Sequence, residues 1–195
     1  MMILNTIRIG LDIDGTVTDP AAFVPALNQS FQKNLTLDDL TSYDLTGVLG
    51  ITRDEFTEWM KTNEATIYAN VTLAENASQV LEKWQHSFEL YYVTARGSYL
   101  EEITRTWFQT NRVPHHHIEL LGQHNKIESI KEHQIDLFLE DKHDNAVEIA
   151  THCGIPVLLI NTPYNQGDDP KGVIRVNDWL SAEQWVENWI QDKKR

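Results

Sequence analysis

Asp12 and Asp14 close the apolar run Ile7-Arg8-Ile9-Gly10-Leu11, one residue apart, ahead of a Gly15-Thr16 turn. Side chains alternate faces along a strand, so two carboxylates at this spacing point the same way while the run stays extended. In a poorly solvated crevice the two anions repel each other, and a cation between them offsets that repulsion. Hard oxygen donors suit Mg2+. The competing reading is a solvated strand end with two ordinary aspartates, and the rest of the chain decides between the two.

Residues 7–14 read as a central parallel strand, apolar on nearly every position. Later apolar runs repeat the pattern at 88–94, 118–121, 135–139 and 155–160, with a short edge strand at 173–176. Helices are expected between them. Asn76-x-x-Gln79, Ser98-x-x-Glu101, Asn125-x-x-Glu128 and Ser181-x-x-Gln184 read as their caps, and Gly154 closes the helix that Asp144 starts. Alternating strands and helices imply a Rossmann-like α/β fold, a parallel sheet with helices on both faces joined by right-handed crossovers. Residues 18–74 break the rhythm. They hold short amphipathic pieces, one opened by the capping box Thr52-x-x-Glu55, and read as a small helical cap inserted after the first strand. The expected organisation is a core of residues 1–17 and 75–195 with a cap of residues 18–74, whose aromatics Phe23, Phe31, Tyr43, Phe56, Trp59 and Tyr68 form a core of their own and partly face the crevice.

The polar groups of interest sit at the ends of these strands. Asp12 and Asp14 follow the first, Thr94 ends the second, Lys126 lies soon after the third, and Glu140-Asp141 end the fourth. In an open α/β sheet those ends face one crevice, where ligands bind. In this arrangement the sequence resembles the haloacid dehalogenase (HAD) superfamily of phosphatases. Asp12-Ile13-Asp14-Gly15-Thr16-Val17 resembles the first motif, Val93-Thr94-Ala95 the second, Lys126 the third and Glu140-Asp141 the fourth. Within the superfamily the layout, with Glu-Asp-Lys-His-Asp-Asn after the fourth strand, resembles the 5′(3′)-deoxyribonucleotidase-like bacterial nucleotidases.

The resemblance implies a Mg2+-dependent phosphomonoester hydrolase acting through an aspartyl-phosphate. Asp12 would be the nucleophile and Asp14 the general acid and base. Mg2+ would be held by Asp12, the backbone carbonyl of Asp14 and Asp141, with Glu140 bonding to metal-bound water. Thr94, the backbone of Ala95 and Lys126 would bind the phosphate, aided by helix N-termini. The expected substrate is small and phosphorylated, with a nucleoside monophosphate as the first candidate. A sugar phosphate or other small metabolite, or a catalytically idle nucleotide-binding module, are the alternatives. Phe23, Tyr43, Tyr68, Arg96 and His124 are candidate substrate contacts, with two readings open for Arg96, a phosphate or an acid of the cap. Pro20-Ala21-Ala22 stands where the deoxyribonucleotidases carry an aromatic, a departure that bears on base preference. A cation at Lys126, in the first turn of a helix, opposes the dipole and calls for an anionic partner. Asp144 reads as a helix cap near enough to support the metal shell.

The run His115-His116-His117 alternates faces with no paired ligands at metal spacing, and reads as structural. Cys153, the single cysteine, excludes an internal disulfide and reads as an inert thiol in a reducing cytoplasm. A net charge of −13 over 195 residues excludes a polymeric nucleic acid as main partner and demands local positive charge wherever an anion binds. No apolar run reaches membrane length and no leader is visible, so a cytoplasmic location and no membrane partner are expected. A homodimer is compatible with these features. The tail Asp192-Lys193-Lys194-Arg195 reads as a frayed, solvated end.

Overall fold

In a computed structural model of the chain, which describes residues 6–193, six parallel strands form one sheet in the order β3-β2-β1-β4-β5-β6. The strands are β1 (Arg8–Leu11), β2 (Glu89–Thr94), β3 (His117–Leu120), β4 (Leu137–Glu140), β5 (Val157–Ile160) and β6 (Val173–Val176). Lys194 and Arg195 of the expected tail lie outside the described residues. Between β1 and β2 come α1 (Val24–Phe31), α2 (Thr46–Leu49), α3 (Arg53–Asn70) and α4 (Ala77–Trp84). Then α5 (Glu101–Thr110), α6 (Ile127–Glu132) and α7 (His143–Cys153) alternate with strands, and α8 (Trp179–Lys193) closes the chain.

The two faces of the sheet separate cleanly by residue parity. Ile9, Leu11, Leu90, Tyr92, Leu137, Leu139 and Leu158 pack with α4, α5 and α8 through Leu81, Trp84, Trp107, Phe108 and Trp179. Val93, Phe138, Val157 and Leu159 pack on the other face with Ile130 of α6 and Ala146 and Ile149 of α7. Strands β1, β4 and β5 are covered on both sides, which is why they read as continuous apolar runs. The chain reverses direction across the sheet between β1 and β4, so their C-terminal ends flank the switch-point crevice.

Gly10 is set by packing. It lies in register with Phe138, and a Cβ there would stand 2.3 Å from the ring. Gly15 is set by conformation and space together: its φ is +80°, and a Cβ would meet Asp141 Oδ2 at 2.4 Å and the Tyr164 hydroxyl at 2.7 Å.

Several local expectations need correction. The first strand stops at Leu11: Asp12 adds one sheet hydrogen bond beyond it, and Asp14 lies in the turn of residues 14–17. The turn is drawn up by Val17 and Thr18 N–H groups donating to the Ile13 carbonyl, and Trp179 bolts it from α8 by donating to the Thr16 carbonyl at 3.0 Å. The last helix starts earlier than Ser181, because Asp178 and Ser181 cap reciprocally: the Ser181 N–H donates to Asp178 Oδ1 at 2.7 Å, and the Asp178 N–H to Ser181 Oγ at 3.0 Å. Asn76 stands in the left-handed region without a side-chain cap bond, whereas Thr52 and Glu55 form the expected capping box. Lys126 is the N-cap of α6, one residue before its first turn.

Changing Gly10 to Ala forces the Phe138 ring aside. The variant is expected to lose about 1–3 kcal/mol of stability in urea unfolding, part of it recovered by adding Phe138→Leu. An unchanged midpoint would show that the sheet yields locally.

Candidate active site

Each strand tip delivers one part of a buried polar cluster. Asp12 leaves β1 with its N–H donating to the Leu139 carbonyl of β4 at 2.9 Å, which continues the sheet one step and fixes the Asp12 backbone. Its side chain accepts from Lys126 Nζ, and the same ammonium donates to Glu140 Oε2 at 2.7 Å. Glu140 Oε1 also accepts the Lys142 N–H at 3.1 Å. Asp141 accepts from the Tyr164 hydroxyl at 2.7 Å and the Thr16 hydroxyl at 3.2 Å, while its carbonyl accepts from Asn165 Nδ2 at 2.6 Å. Asp12, Lys126, Glu140 and Asp141 are all buried.

The charges do not balance. Oxygens of Asp12, Glu140 and Asp141 lie within 4.8 Å of one another, against one ammonium. Burial raises the Asp12 carboxyl to about 7; Lys126 opposes the shift, and Glu140 and Asp14 add to it. Asp141 is also raised, first by burial and then by Glu140 and Asp12. Burial works against the Lys126 charge, but Asp12 and Glu140 outweigh it and push its pKa up. Three buried carboxylates with hard oxygen donors fit a divalent cation such as Mg2+.

Asp14 is placed differently. Arg96 grips it with two bonds, Nε to Oδ2 at 2.9 Å and Nη2 to Oδ1 at 2.6 Å. The guanidinium is fully buried, donates to the Thr104 hydroxyl at 3.1 Å, and lies 4.0 Å from the Tyr68 ring centroid. Of the two readings of Arg96, the cap acid falls away, because its carboxylate partner is Asp14. Thr94 is buried and its hydroxyl accepts from the Arg96 N–H at 3.3 Å, leaving its own proton free to donate.

Asp12, Asp14, Thr94, Arg96, Glu140 and Asp141 form the floor of a cavity of about 400 Å3, together with Ala95 and Asn145, while Lys126 lies behind Asp12 and Glu140 and does not line it. Residues 18–74 supply much of its roof, including Phe23, Leu40, Tyr43, Phe56, Met60 and Tyr68. The six aromatics of that region split into groups and do not make one core. Phe31, Phe56 and Trp59 pack together, Phe23 meets Tyr68 edge-on, and Tyr43 leans on His124 and Tyr164. Tyr68 has its face taken by Arg96, so it buttresses that residue. Tyr43 and His124 stand at the exposed rim, with Lys142 Nζ 4.4 Å from the Tyr43 ring centroid. Roof and floor are tied by the Tyr99 hydroxyl donating to Glu64 at 2.7 Å and by Trp107 Nε1 donating to the Val71 carbonyl at 2.7 Å. Asp144 points away: its side chain is 86% exposed, so it supports no metal shell. Tyr164, Asn165, Thr16 and Asn145 were not anticipated. Tyr164 and Asn165 carry the same signal as the rest, since they follow the end of β5.

A family profile described as "5' nucleotidase, deoxy (Pyrimidine), cytosolic type C protein" matches residues 5–194. The chain belongs to this family. Among its relatives, "Putative nucleotidase BH1399" of Halalkalibacterium halodurans is 56% identical over 184 residues, 94% of each chain. "Putative nucleotidase YqfW" of Bacillus subtilis is 50% identical over 182 residues, 93% of this chain and 94% of the relative. The fold is that of the haloacid dehalogenase-like hydrolases. A protein of that family from Streptococcus pneumoniae, SP0104, superposes with a TM-score of 0.64 at 15% identity, over 95% of this chain and 99% of the other. The HAD-hydrolase YfnB of Bacillus subtilis, solved bound to magnesium, gives 0.62 at 14% identity, over 93% and 99%. This member of the nucleotidase family is therefore a phosphatase by descent, with the acidic cluster at the strand tips where the fold places its ligand crevice.

The crowded carboxylates make a prediction about stability. A raised carboxyl pKa means that the folded, metal-free protein binds more protons than the unfolded chain. Stability then falls as pH rises from the ordinary carboxylate range near 4 towards about 7 for Asp12, the penalty being complete above it. Asp141→Asn removes one of these charges. In EDTA its melting temperature is expected to exceed that of the wild type, by a margin that widens from acid to neutral pH and disappears when Mg2+ is added to the wild type. A variant less stable at every pH would show that the Tyr164 and Thr16 bonds outweigh the repulsion.

Proposed function

We propose that this nucleotidase-family protein is a Mg2+-dependent phosphomonoester hydrolase that works through an aspartyl-phosphate on Asp12, with a nucleoside monophosphate as substrate. The observation that carries the proposal is the joining of Asp12, Lys126, Glu140 and Asp141 in one buried cluster beneath an aromatic-walled cavity. Asp12, Asp141 and the carbonyl of Asp14 would hold the metal, Glu140 would bond its water, and the ion would supply the positive charge that lets an anionic nucleophile approach a phosphate.

An Asp12 carboxylate oxygen attacks phosphorus in line with the leaving oxygen; the new P–O bond forms as the ester P–O bond breaks. Asp14 gives the leaving oxygen its proton. In the second half Asp14 takes a proton from water as the water oxygen attacks phosphorus, and the aspartyl P–O bond breaks to return Asp12 and release phosphate. Lys126 neutralises oxygens of the phosphate and steadies Asp12. The Thr94 hydroxyl and the Ala95 N–H donate to a phosphate oxygen. These local donors answer the chain's −13. Arg96 acts through Asp14 as a positioning residue, holding the carboxyl group in one place by its fork of two bonds.

The cavity volume suits a single nucleoside monophosphate, and Phe23, Phe56 and Tyr43 in its lining offer an apolar wall to a base. His124 and Tyr43 contact the outer part of the substrate. The magnesium bound by YfnB and the nucleotidase names of the relatives agree with this reading, and the family's description makes the cytoplasm the proposed compartment.

Hydrolysis of a panel of phosphomonoesters, with and without Mg2+, tests the reading. Nucleoside monophosphates are expected to give the highest kcat/KM, Asp12→Asn to abolish turnover, and EDTA to do the same. Full activity in either condition ends the proposal, and a preference for sugar phosphates moves the substrate class. For Arg96→Met, kcat is expected to fall about 100-fold or more with little change in KM, matching the loss of a positioned general acid. A rise in KM alone would instead make Arg96 a phosphate ligand.

A further inference from the structure

Away from the catalytic cavity, a second cluster of metal-ligating side chains lies on the outer strand of the sheet. His117 opens β3, and Glu119, two residues on, shares its face. His133, at the C-terminal cap of α6, comes down onto that face, with its Nε2 3.1 Å from Glu119 Oε2. The rings of His117 and His133 are 4.5 Å apart between centroids. Tyr91, in register with His117 on β2, forms the wall behind both, 5.4 Å from one ring and 5.3 Å from the other.

One ligand atom from each of His117, Glu119 and His133 lies within 4.8 Å of the other two. His117 Nε2 is shielded from solvent and has no hydrogen-bond partner. An orphaned ring nitrogen beside a second imidazole and a carboxylate lacks an acceptor or an ion. Glu119 is itself anchored: the Ser129 hydroxyl donates to its Oε2 at 2.5 Å, one helical turn before His133. An outer partner that orients a ligating carboxylate is a usual part of a built metal site. The neighbouring cations are engaged elsewhere. Arg105 pairs with Glu101 at 2.9 Å, and Arg8 with Glu89 at 2.8 Å. The side chains of His133 and Glu119 keep 21% and 32% of their surface exposed, which leaves a way in for an ion and its water.

We propose that His117, Glu119 and His133 form a binding site for a divalent transition metal of the zinc class, with the remaining coordination position open to water. Two imidazoles and one carboxylate are a zinc-type donor set, and imidazole disfavours Mg2+ and Ca2+. The site therefore differs in kind from the all-oxygen cluster of Asp12, Glu140 and Asp141. Its consequence is mechanical. The metal would clamp the C-terminal end of α6 to β3, and α6 is the helix whose N-cap is Lys126.

The test uses tag-free, chelator-stripped protein in saturating Mg2+, which occupies the oxygen cluster. Titration with Zn2+ by calorimetry is expected to show one saturable equivalent and a rise in melting temperature. Co2+ is expected to give the intense visible absorption of a four- or five-coordinate ion with nitrogen ligands. His117→Ala and His133→Gln should each weaken Zn2+ at least tenfold, and Ser129→Ala by about 10–100-fold, as for a group that orients a ligand. Circular dichroism checks that each variant folds; the wild-type Co2+ spectrum needs no variant. No saturable Zn2+ binding, a six-coordinate oxygen-type Co2+ spectrum, or binding that survives His117→Ala and disappears in Asp141→Asn would overturn the proposal. Because the readouts are metal affinity and spectrum, they stand apart from any failure of the phosphatase assays.

Discussion

The constraint on which the structure depends is the burial of three carboxylates at the tips of β1 and β4 with one ammonium among them. Taking charges out of water is costly, and like charges at this range cost more. The surrounding structure supplies what compensation it can. Lys126 bridges Asp12 and Glu140, Tyr164 and Thr16 donate to Asp141, and the Lys142 N–H donates to Glu140. Gly15 has no side chain because Asp141 and Tyr164 already fill the space. Even so the raised Asp12 and Asp141 record a deficit of positive charge. The divalent cation proposed above would offset that deficit.

That deficit was legible in the sequence through position alone. Asp12, Thr94, Lys126 and Glu140-Asp141 each follow an apolar run, and a parallel sheet sends every such end to one crevice. Tyr164 and Asn165 obey the same rule after β5 and escaped because the Pro- and Gly-rich loop there reads as a connector. What the spacing did not reveal is divergence. Asp12 and Asp14 look like one pair, yet the strand ends at Leu11 and the turn sends them to different cations, Lys126 and Arg96. Periodicity describes a strand and says nothing of the turn after it. His117 was set aside for the same sort of reason: Glu119 is near in sequence, but His133 arrives on another element.

The helical region between β1 and α4 was legible as an interruption of the α/β rhythm, and the fate of its aromatics was legible in part. A core of their own, with some of them facing the crevice, was expected. Phe31, Phe56 and Trp59 pack together, and Phe23, Tyr43 and Tyr68 line the cavity as their candidacy for substrate contact required, but Phe56 does both and Tyr68 spends its face on Arg96. Aromatic residues on short amphipathic pieces have two apolar places to go, and composition does not choose between them.

The choice has a consequence for how roof and floor communicate. Tyr68 on α3 covers the guanidinium of Arg96, and Arg96 holds Asp14. A side chain of the roof thus bears on the carboxyl group assigned the proton transfers, through one buried cation. The guanidinium is shielded by Tyr68 on one face and bonded to Thr104 and Asp14, neither of which belongs to the roof. Its ion pair with Asp14 is stronger in such a low-dielectric setting than it would be in water. The roof therefore bears on Asp14 by keeping water from that pair, while the fork of two bonds itself is made within the floor.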